Sequence, residues 1–142
     1  MRVSPTTLFA TLATIIVLAA IGVGFFLNGG PAEVRARRFD QQRVSDLLGI
    51  SGAVRNYRLS HDSVPKTLET MQQGGGYAYV SLRDPETRVP YEYRTSGDSS
   101  FELCAQFETS VDEKSQPATP AFWNHPSGRH CFSLDAPARR QG

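Results

Sequence analysis

The chain has 142 residues, of which 15 are basic and 14 acidic, so its formal net charge is +1. This nearly balanced charge excludes a protein that binds nucleic acid through a broad basic surface. The length accommodates one membrane segment and one domain of about 110 residues, and no internal repeat indicates a solenoid.

The N-terminal segment from Leu8 to Leu27 is apolar apart from two threonines and contains no charged side chain. About 20 helical residues, each rising ~1.5 Å, span the ~30 Å hydrocarbon core of a bilayer. A cleaved signal peptide is the alternative, but this run exceeds the ~7 to 15 residues of a usual signal core and no small-x-small cleavage site follows it. We therefore predict a retained transmembrane helix, with residues 1–30 forming a tail, the helix and a glycine hinge.

Residues 31–135 predict a single soluble α+β domain that opens with a long amphipathic helix. From Pro31 to about Leu59, apolar residues recur at steps of three and four, which places them on one helix face. They are Val44, Leu47, Ile50, Val54 and Tyr57. Four charged residues are expected mostly off this face, namely Arg43, Asp46, Arg55 and Arg58. We expect the helix to pack on a three- to four-stranded antiparallel sheet.

The rest of the domain has the patterns of a short helix, a sheet and loops. A loop at Ser60–Pro65 precedes a helix at Pro65–Gln72, where the proline suits a first helical turn. Strand patterns occur at Tyr77–Leu82, Tyr91–Arg94, Phe101–Glu108 and His130–Leu134. In the third strand, alternate residues from Phe101 to Phe107 share an apolar face. The polar stretch Thr109–Ala121 predicts a surface loop, and residues 136–142 predict a disordered tail.

The sequence gives two opposite indications of the side of the membrane on which the domain lies. A cluster of arginines follows the apolar segment and, because basic residues tend to stay inside, favours a cytoplasmic domain. The cluster comprises Arg35, Arg37, Arg38 and Arg43. Its attraction to anionic headgroups makes membrane lipid an expected partner. Against this, the only two cysteines, Cys104 and Cys131, both lie in strand patterns. A disulfide between them suits an oxidising compartment, although two reduced core cysteines would give the same sequence. We expect a disulfide and an extracytoplasmic domain.

The order of these elements resembles that of type IV pilins and of the pseudopilins of type II secretion. Those families join a membrane helix to a long amphipathic helix and an antiparallel sheet with a late disulfide. Residues Asp84–Tyr93, which read DPETRVPYEY, are similar to the aspartate-proline turn and the proline-tyrosine-x-tyrosine strand of the major pseudopilins. The resemblance implies a shared α+β fold and, as an alternative function, a subunit of a secretion or pilus-type assembly.

Two residues of the pilin pattern have no counterpart in this sequence. Pilin-like chains carry a glycine just before the apolar segment, where the prepilin peptidase cuts, and a glutamate a few residues inside it. Here the first glycine is Gly22 and the first acidic residue is Glu33. The resemblance therefore implies the fold rather than filament assembly. Three further stretches are similar to small bacterial single-pass membrane proteins of uncharacterised role: Leu103–Ala105, Trp123–His125 and His130–Phe132.

The sequence contains zinc-binding residue types, but not in the spacings that zinc sites use. His125, His130, Cys104 and Cys131 could supply nitrogen and sulfur ligands, yet they form neither a close cysteine pair nor a histidine pair on one helix face. A disulfide beside surface histidines is the preferred interpretation. No metal or other cofactor is therefore expected.

Calcium binding and catalysis are likewise not expected. Asp112 and Glu113 are adjacent acids in the polar loop, but they fall well short of the ~6 to 8 oxygens that calcium requires. Ser127 or Cys131 could act as a nucleophile with a histidine base, yet no spacing selects such a pair. Ser127 is interpreted as a turn residue. We expect a protein that is not an enzyme and has no small-molecule substrate.

Aromatic residues are expected to fill the core rather than a site. Trp123 and Phe122 lie between a loop and a turn, a position from which such pairs commonly pack over one end of a sheet. The four strand tyrosines are expected at the helix–sheet interface: Tyr77, Tyr79, Tyr91 and Tyr93. The sequence as a whole predicts a non-catalytic structural or interaction module, tethered by one span to the bacterial inner membrane, with a protein partner of unspecified kind.

Overall fold

The computed structural model describes residues 4–28, 30–73, 79–111 and 120–137. The chain divides into two compact units, Met1–Arg35 and Ala36–Gly142. The elements are α1 (Pro5–Asn28), α2 (Pro31–His61), α3 (Leu68–Gln73), β1 (Glu92–Thr95), β2 (Ser100–Phe107), a 3-10 turn at Ala121–Trp123 and β3 (Gly128–Asp135). This confirms an α+β protein with an N-terminal apolar helix and a three-stranded antiparallel sheet.

Helix α1 is long and apolar enough to cross a membrane, judged by its length and composition. Between Pro5 and Gly24, none of it is buried against the rest of the described chain. Its threonine hydroxyls donate to carbonyl oxygens one turn earlier, as Thr14 does to Ala10 at 2.8 Å, so they leave the apolar surface intact. The predicted span from Leu8 to Leu27 lies within this helix. Gly29 of the predicted hinge lies outside the described residues.

Helix α2 begins and ends at residues whose backbone suits those positions. Pro31 opens the helix, where its missing N–H would have had no helical partner. The carbonyl oxygen of Gly30 accepts hydrogen bonds from the N–H groups of Glu33 and Val34 at 3.0 and 3.2 Å. At the other end, Asp62 adopts a φ of +57°, a left-handed conformation that stops helix propagation. The helix extends two residues beyond the predicted Leu59, to His61.

Helix α3 begins at Leu68 rather than at the predicted Pro65. The hydroxyl oxygen of Thr67 accepts a hydrogen bond from the Thr70 N–H at 3.4 Å, so Thr67 caps the helix. Pro65 is instead buried before the helix, and its carbonyl oxygen accepts a hydrogen bond from the Tyr93 hydroxyl at 2.8 Å. The strand β1 and the segment before α3 are thereby joined.

The sheet has the order β1-β2-β3, with both neighbouring pairs antiparallel. The turn between β1 and β2 contains Gly97 at a φ of +132°, a conformation that glycine adopts without steric cost. In register, Glu92 of β1 lies opposite Cys104 of β2, which lies opposite Cys131 of β3. The predicted alternation of β2 is confirmed, because Phe101, Leu103, Ala105 and Phe107 are all buried.

One hydrophobic cluster joins α2, α3 and the sheet. Helix α2 contributes Leu47, Ile50, Ala53 and Val54, α3 contributes Leu68 and Met71, and β2 contributes its four alternate residues. Tyr91 and Tyr93 belong to this cluster or pack against it, as predicted. Tyr79 does not, because it is 80% exposed, and Tyr77 lies outside the described residues.

The predicted strand at Tyr77–Leu82 is wrong over the residues that are described. Tyr79 to Leu82 form a turn and irregular chain, and the pairing that follows is reduced to a single bridge between Arg83 and Pro90. Two hydrogen bonds flank this bridge, from the Tyr91 N–H to the Leu82 carbonyl oxygen at 3.0 Å and from the Asp84 N–H to the Val89 carbonyl oxygen at 2.9 Å, and the chain between them forms a tight turn at residues 85–87. The sheet therefore has three strands.

The predicted tail begins later than expected. Ala136 is fully buried, and its N–H donates to the carbonyl oxygen of Ser99 at 2.8 Å. This contact extends the attachment of β3 by one residue. Residues 138–142 lie outside the described part of the chain.

Candidate functional site

A charged cluster lies inside the domain, centred on Arg43 of α2, whose side chain is only 2% exposed. Its guanidinium contacts four carboxylates. The distances are 2.8 Å to Asp40, 2.5 Å to Asp84, 2.9 Å to Glu86 and 3.4 Å to Glu108. Because every one of these contacts favours the positive charge, the pKa of Arg43 lies above its ordinary value despite the opposing effect of burial.

Asp40 connects the helix to the end of β2. Its carboxylate accepts hydrogen bonds from the backbone N–H groups of Glu108 and Thr109, at 3.0 and 2.7 Å, and from the Thr109 hydroxyl at 2.7 Å. Burial alone would raise the pKa of Asp40, but the hydrogen bonds from Thr109, Glu108 and Arg43 lower it below its usual value. The chain leaving β2 is thus held against α2 by charge-assisted bonds.

Asp84 organises the turn that precedes β1. Its carboxylate accepts hydrogen bonds from the N–H groups of Glu86 and Thr87, at 2.9 and 2.8 Å. The same turn contains Arg88 at a φ of +62°, and it closes with the Asp84 N–H donating to the Val89 carbonyl oxygen at 2.9 Å. Burial would raise the pKa of Asp84, but Arg43 and the two N–H donors outweigh it and lower that pKa to about 2.

Glu86 and Glu108 lie at the outer side of the cluster. Their carboxyl groups are partly exposed, at 31% and 43%, and both contact Arg43. A hydrogen bond with Glu86, followed by desolvation and the negative charge of Glu86, raises the pKa of Glu108, whereas Arg43 opposes this change. The two carboxyl groups therefore favour a shared proton as the pH falls.

A third polar residue of α2 completes a ridge at spacings of three along the helix. Asp46 accepts a hydrogen bond from the Tyr91 hydroxyl at 2.9 Å and one from Gln42 at 2.8 Å. Burial and the nearby Asp46 raise the pKa of Tyr91 above its ordinary value. Asp40, Arg43 and Asp46 thus each hold a different segment of the domain, and we name these three residues the polar ridge of α2.

The prediction that Arg43 and Asp46 lie off the buried face of α2 is wrong. Both are buried, at 2% and 9% exposure, together with Asp40 at 1%. A helix returns to the same face every three or four residues, so the apolar series that starts at Leu47 continues backwards to Arg43 and then to Asp40. Because Asp40 and Arg43 are charged, the sequence pattern did not reveal that they lie on the buried face. It also means that Arg43 cannot belong to a group of arginines available to lipid headgroups.

A disulfide joins Cys104 of β2 to Cys131 of β3, as predicted. It lies on the sheet face opposite the apolar residues of β2, beside an exposed ion pair. The Arg129 guanidinium donates to the two carboxylate oxygens of Glu92 at 2.8 and 2.7 Å and approaches the Cys104 sulfur at 3.5 Å. The hydrogen bond from Arg129 lowers the pKa of Glu92 below its usual value.

The two histidines considered as ligands or bases, His125 and His130, lie in different environments. His125 is 3% exposed, contrary to the expected surface position, and its ring stacks on Phe107 with centroids 3.6 Å apart. Burial lowers the pKa of His125. His130 packs against Phe132 at 4.8 Å. Within residues 120–137, no hydrogen bond links Ser127 to either ring, and the Nδ1 atom of His125 lies 3.2 Å from the Pro126 carbonyl oxygen.

No group of three or more histidine, cysteine or acidic side chains in the described ranges is placed to hold a metal ion. Asp112 and Glu113 lie outside those ranges. Trp123 is buried and packs on Phe132 with ring centroids 4.7 Å apart, as expected for a residue covering one end of a sheet. Phe122 remains 53% exposed and, with Leu48, borders a shallow groove of about 300 Å³ between α2 and β3. The groove gives the domain a concave surface with an apolar rim.

No family model matches this chain, and no curated protein or solved structure is significantly similar to it. Its possible chemistry must therefore be inferred from its own geometry. The charged groups of the polar ridge of α2 are hydrogen-bonded to partners within the domain. This arrangement fixes the positions of the segments that they contact.

Proposed function

We propose that this protein is a membrane-tethered, non-catalytic interaction module of the bacterial envelope, with its α+β domain outside the cytoplasm. The observation that carries the proposal is the exposure of α1. Large apolar side chains are exposed along its described part, among them Leu8 at 62%, Ile15 at 62% and Leu18 at 62% exposure. In water such a surface is strongly unfavourable, at roughly 25 cal/mol per Å², whereas in lipid it is solvated.

The buried position of Arg43 supports the extracytoplasmic side. Orientation depends on basic residues that remain available near the end of the span, and Arg43 is instead neutralised inside the domain. The basic residues after α1 that remain exposed are thereby reduced to Arg35, Arg37 and Arg38. A disulfide between the two cysteines of the chain fits an oxidising compartment.

The absence of catalysis is proposed because the buried ionisable groups around Arg43 are already satisfied by one another. Asp40, Arg43 and Asp84 satisfy one another through hydrogen bonds of 2.5 to 2.8 Å and hold backbone N–H groups as well. Catalytic groups usually face a cleft that can admit a substrate. The buried cluster is therefore interpreted as a device that fixes the shape of the interaction module.

Alkaline extraction of membranes tests the tether. The full chain is expected to stay in the membrane pellet, whereas Ile15→Arg combined with Ile16→Arg should move it to the supernatant, since a charge at the middle of a span costs about 2.5 to 3.5 kcal/mol. Leu59→Arg, at an exposed apolar position of α2, is the matched control and should stay in the pellet. Recovery of the unmodified chain in the supernatant would refute the tether. A mass that lacks the N-terminal segment would identify a cleaved signal peptide instead.

The membrane side is tested by thiol labelling of intact cells with an impermeant maleimide. We expect Cys104 and Cys131 to label only after treatment with an impermeant reductant. Labelling that requires permeabilisation of the cells but no reductant would place the domain in the cytoplasm and contradict the proposal.

A pilin-like subunit is the second candidate, favoured by the order of elements, in which a long helix is followed by an antiparallel hairpin and a third strand. Crosslinking in membranes followed by purification distinguishes the two. Recovery of many copies of the chain, or of secretion components, supports the assembly subunit. Recovery of an unrelated envelope protein at constant stoichiometry supports the interaction module.

A further inference from the structure

The disulfide occupies two of the three positions of a row that crosses all three strands. Glu92, Cys104 and Cys131 lie side by side in register, one on each strand, on the sheet face that α2 does not cover. Their exposures differ, because Cys104 is 1% exposed whereas Cys131 is half-buried. The two sulfurs of one bond thus have different surroundings.

The row determines which sulfur a thiolate can reach. In thiol–disulfide exchange the incoming thiolate approaches along the S–S axis, from the side opposite the sulfur that leaves. Cys131 lies half-buried on β3, an outer strand among the described residues, whereas Cys104 lies on the central strand with 1% exposure. Glu92 lies opposite Cys104 in register, and its carboxylate is bound by Arg129 at 2.7 and 2.8 Å. A thiolate from solvent therefore reaches Cys131 more readily than Cys104.

The charges around the leaving sulfur favour the same direction. The Arg129 guanidinium lies 3.5 Å from the Cys104 sulfur and can stabilise a thiolate there. Three other charged groups face this site: Glu92 and Arg94 from β1 and Glu102 from β2. Glu92 competes for Arg129, Arg94 contacts Glu92 at 3.5 Å, and Glu102 accepts a hydrogen bond from the Ser133 hydroxyl at 3.3 Å.

We propose that Cys104–Cys131 is a directional thiol–disulfide exchange site that accepts electrons from a thiol reductant. The thiolate bonds to the Cys131 sulfur, the S–S bond breaks, and its electron pair passes to Cys104, which leaves as a thiolate beside Arg129. A second thiolate of the reductant then attacks the mixed disulfide and releases Cys131. Two electrons, and two protons from solvent, reach the protein, and the reductant becomes a disulfide.

The fold allows this exchange to proceed without unfolding. Strands β2 and β3 are paired over eight residues, and the apolar face beneath them is buried in the common core. These contacts do not depend on the covalent bond. The inference stands on the sheet geometry and does not require the membrane tether to be correct.

The test uses the full chain in detergent micelles, with reduced glutathione as the probe. Mixed disulfides are trapped by acid, and their position is read by mass spectrometry of peptides. We expect glutathione on Cys131 to exceed that on Cys104 by about tenfold or more, because Cys131 is the more exposed cysteine and Arg129 stabilises Cys104 as the leaving thiolate. Equal amounts on both cysteines, or more on Cys104, would overturn the proposal.

Substitutions near the sulfur test the role of charge. Arg129→Ala should slow reduction several-fold and Glu92→Gln should accelerate it. Arg38→Ala, which removes an exposed arginine of α2 and so changes the net charge equally without altering this sheet face, should leave the rate unchanged. If Arg129→Ala and Arg38→Ala slow the reaction equally, the local guanidinium has no role.

A measurement with single thiols keeps the inference testable if a variant alters the sheet. Cys131 in the Cys104→Ser chain should react with a maleimide about tenfold faster than Cys104 in the Cys131→Ser chain. Circular dichroism checks that both chains are folded. Equal rates in folded chains would contradict the proposed direction of exchange.

Discussion

Arg43 keeps its charge inside the protein because four carboxylates contact its guanidinium. The gain in Coulomb energy is offset by the desolvation of the ions, so such a cluster contributes less to net stability than to the choice of one arrangement. Asp84 illustrates this point, because the same carboxylate bonds to Arg43 and to the N–H groups of its own turn. The same hydrogen bonds therefore determine both the position and the protonation state of Asp84.

Replacing Arg43 by alanine should lower the free energy of unfolding by about 3 to 5 kcal/mol, since Asp40 and Asp84 would remain buried without their counter-ion. Arg38→Ala, which removes an exposed arginine from the same helix, should change it by less than about 0.5 kcal/mol. Chemical denaturation in detergent micelles measures both. Similar effects of the two substitutions would contradict the internal role of Arg43.

Stability should depend on pH in two steps of opposite sign. The raised pKa of Glu108 means that the folded state gains its proton first, so the free energy of unfolding should rise as the pH falls toward the ordinary glutamate value of 4.5. Below the ordinary aspartate pKa of 3.8, the Asp84 carboxylate is protonated in the unfolded state. In the folded state it stays ionised, because its pKa there is about 2. About 2 kcal/mol should be lost over that range from this residue.

Denaturation measured between pH 7 and pH 2 checks both steps. Glu108→Gln should remove the rise, and Asp84→Asn should remove much of the fall. Asp98→Asn, at an exposed position in the turn between β1 and β2, is the matched control. A fall that is the same in the Asp84→Asn and Asp98→Asn chains would show that Asp84 does not cause it.

At the scale of elements, two adjacent leucines of α2 lie in different environments. Leu47 is fully buried against the sheet and Leu48 is 43% exposed. Leu47→Ala should therefore lower the free energy of unfolding by about 2 to 5 kcal/mol. Leu48→Ala should lower it by less than about 1 kcal/mol. Denaturation curves of the two variants compare the truncation of a leucine in the core with the truncation of an adjacent leucine at the surface.

The elements that could be predicted are those whose periodicity is strong and local. The steps of three and four in α2 and the alternation from Phe101 to Phe107 each identify a buried face without knowledge of the partner. The segment before Pro90 could not be assigned in this way. Its aromatic residues have high strand propensity, but whether they pair depends on where a partner strand lies, and propensity contains no information on that position.

The candidate site was predictable in part for the same reason. Two cysteines in strand patterns predicted the disulfide, because covalent pairing needs only two residue types. The cluster at Arg43 depends on carboxylates more than forty residues away, such as Asp84 and Glu108. Sequence spacing indicates a buried face at Arg43, but it contains no information on which distant side chains satisfy the charge there.

At the scale of the whole molecule, the disulfide closes a loop with a sequence separation of 27. By the chain-entropy relation, such a loop stabilises the folded state by about 3 to 4 kcal/mol through its effect on the unfolded chain. A domain of this size has a net stability of about 5 to 15 kcal/mol, so the reduced protein should still fold.

Cys104→Ala combined with Cys131→Ala should therefore lower the free energy of unfolding by about 3 to 4 kcal/mol while circular dichroism retains the helical and strand signals. Reduced unmodified chain is the control and should behave like the double variant. Complete loss of structure in either sample would show that the sheet depends on the bond, and an unchanged unfolding energy would show that the loop constrains little.

The register of the disulfide also has a mechanical consequence. An antiparallel strand that is pulled from one end separates from its neighbour one residue pair at a time. A load on the C-terminal end of β3 would release the four pairs from Ser100–Asp135 to Leu103–Phe132 and then meet the covalent link at Cys131. The three pairs beyond it would be shielded, and the tension would pass into β2, the central strand. While the bond is intact, pulling on this end can stretch the protein without stripping the whole strand from the sheet.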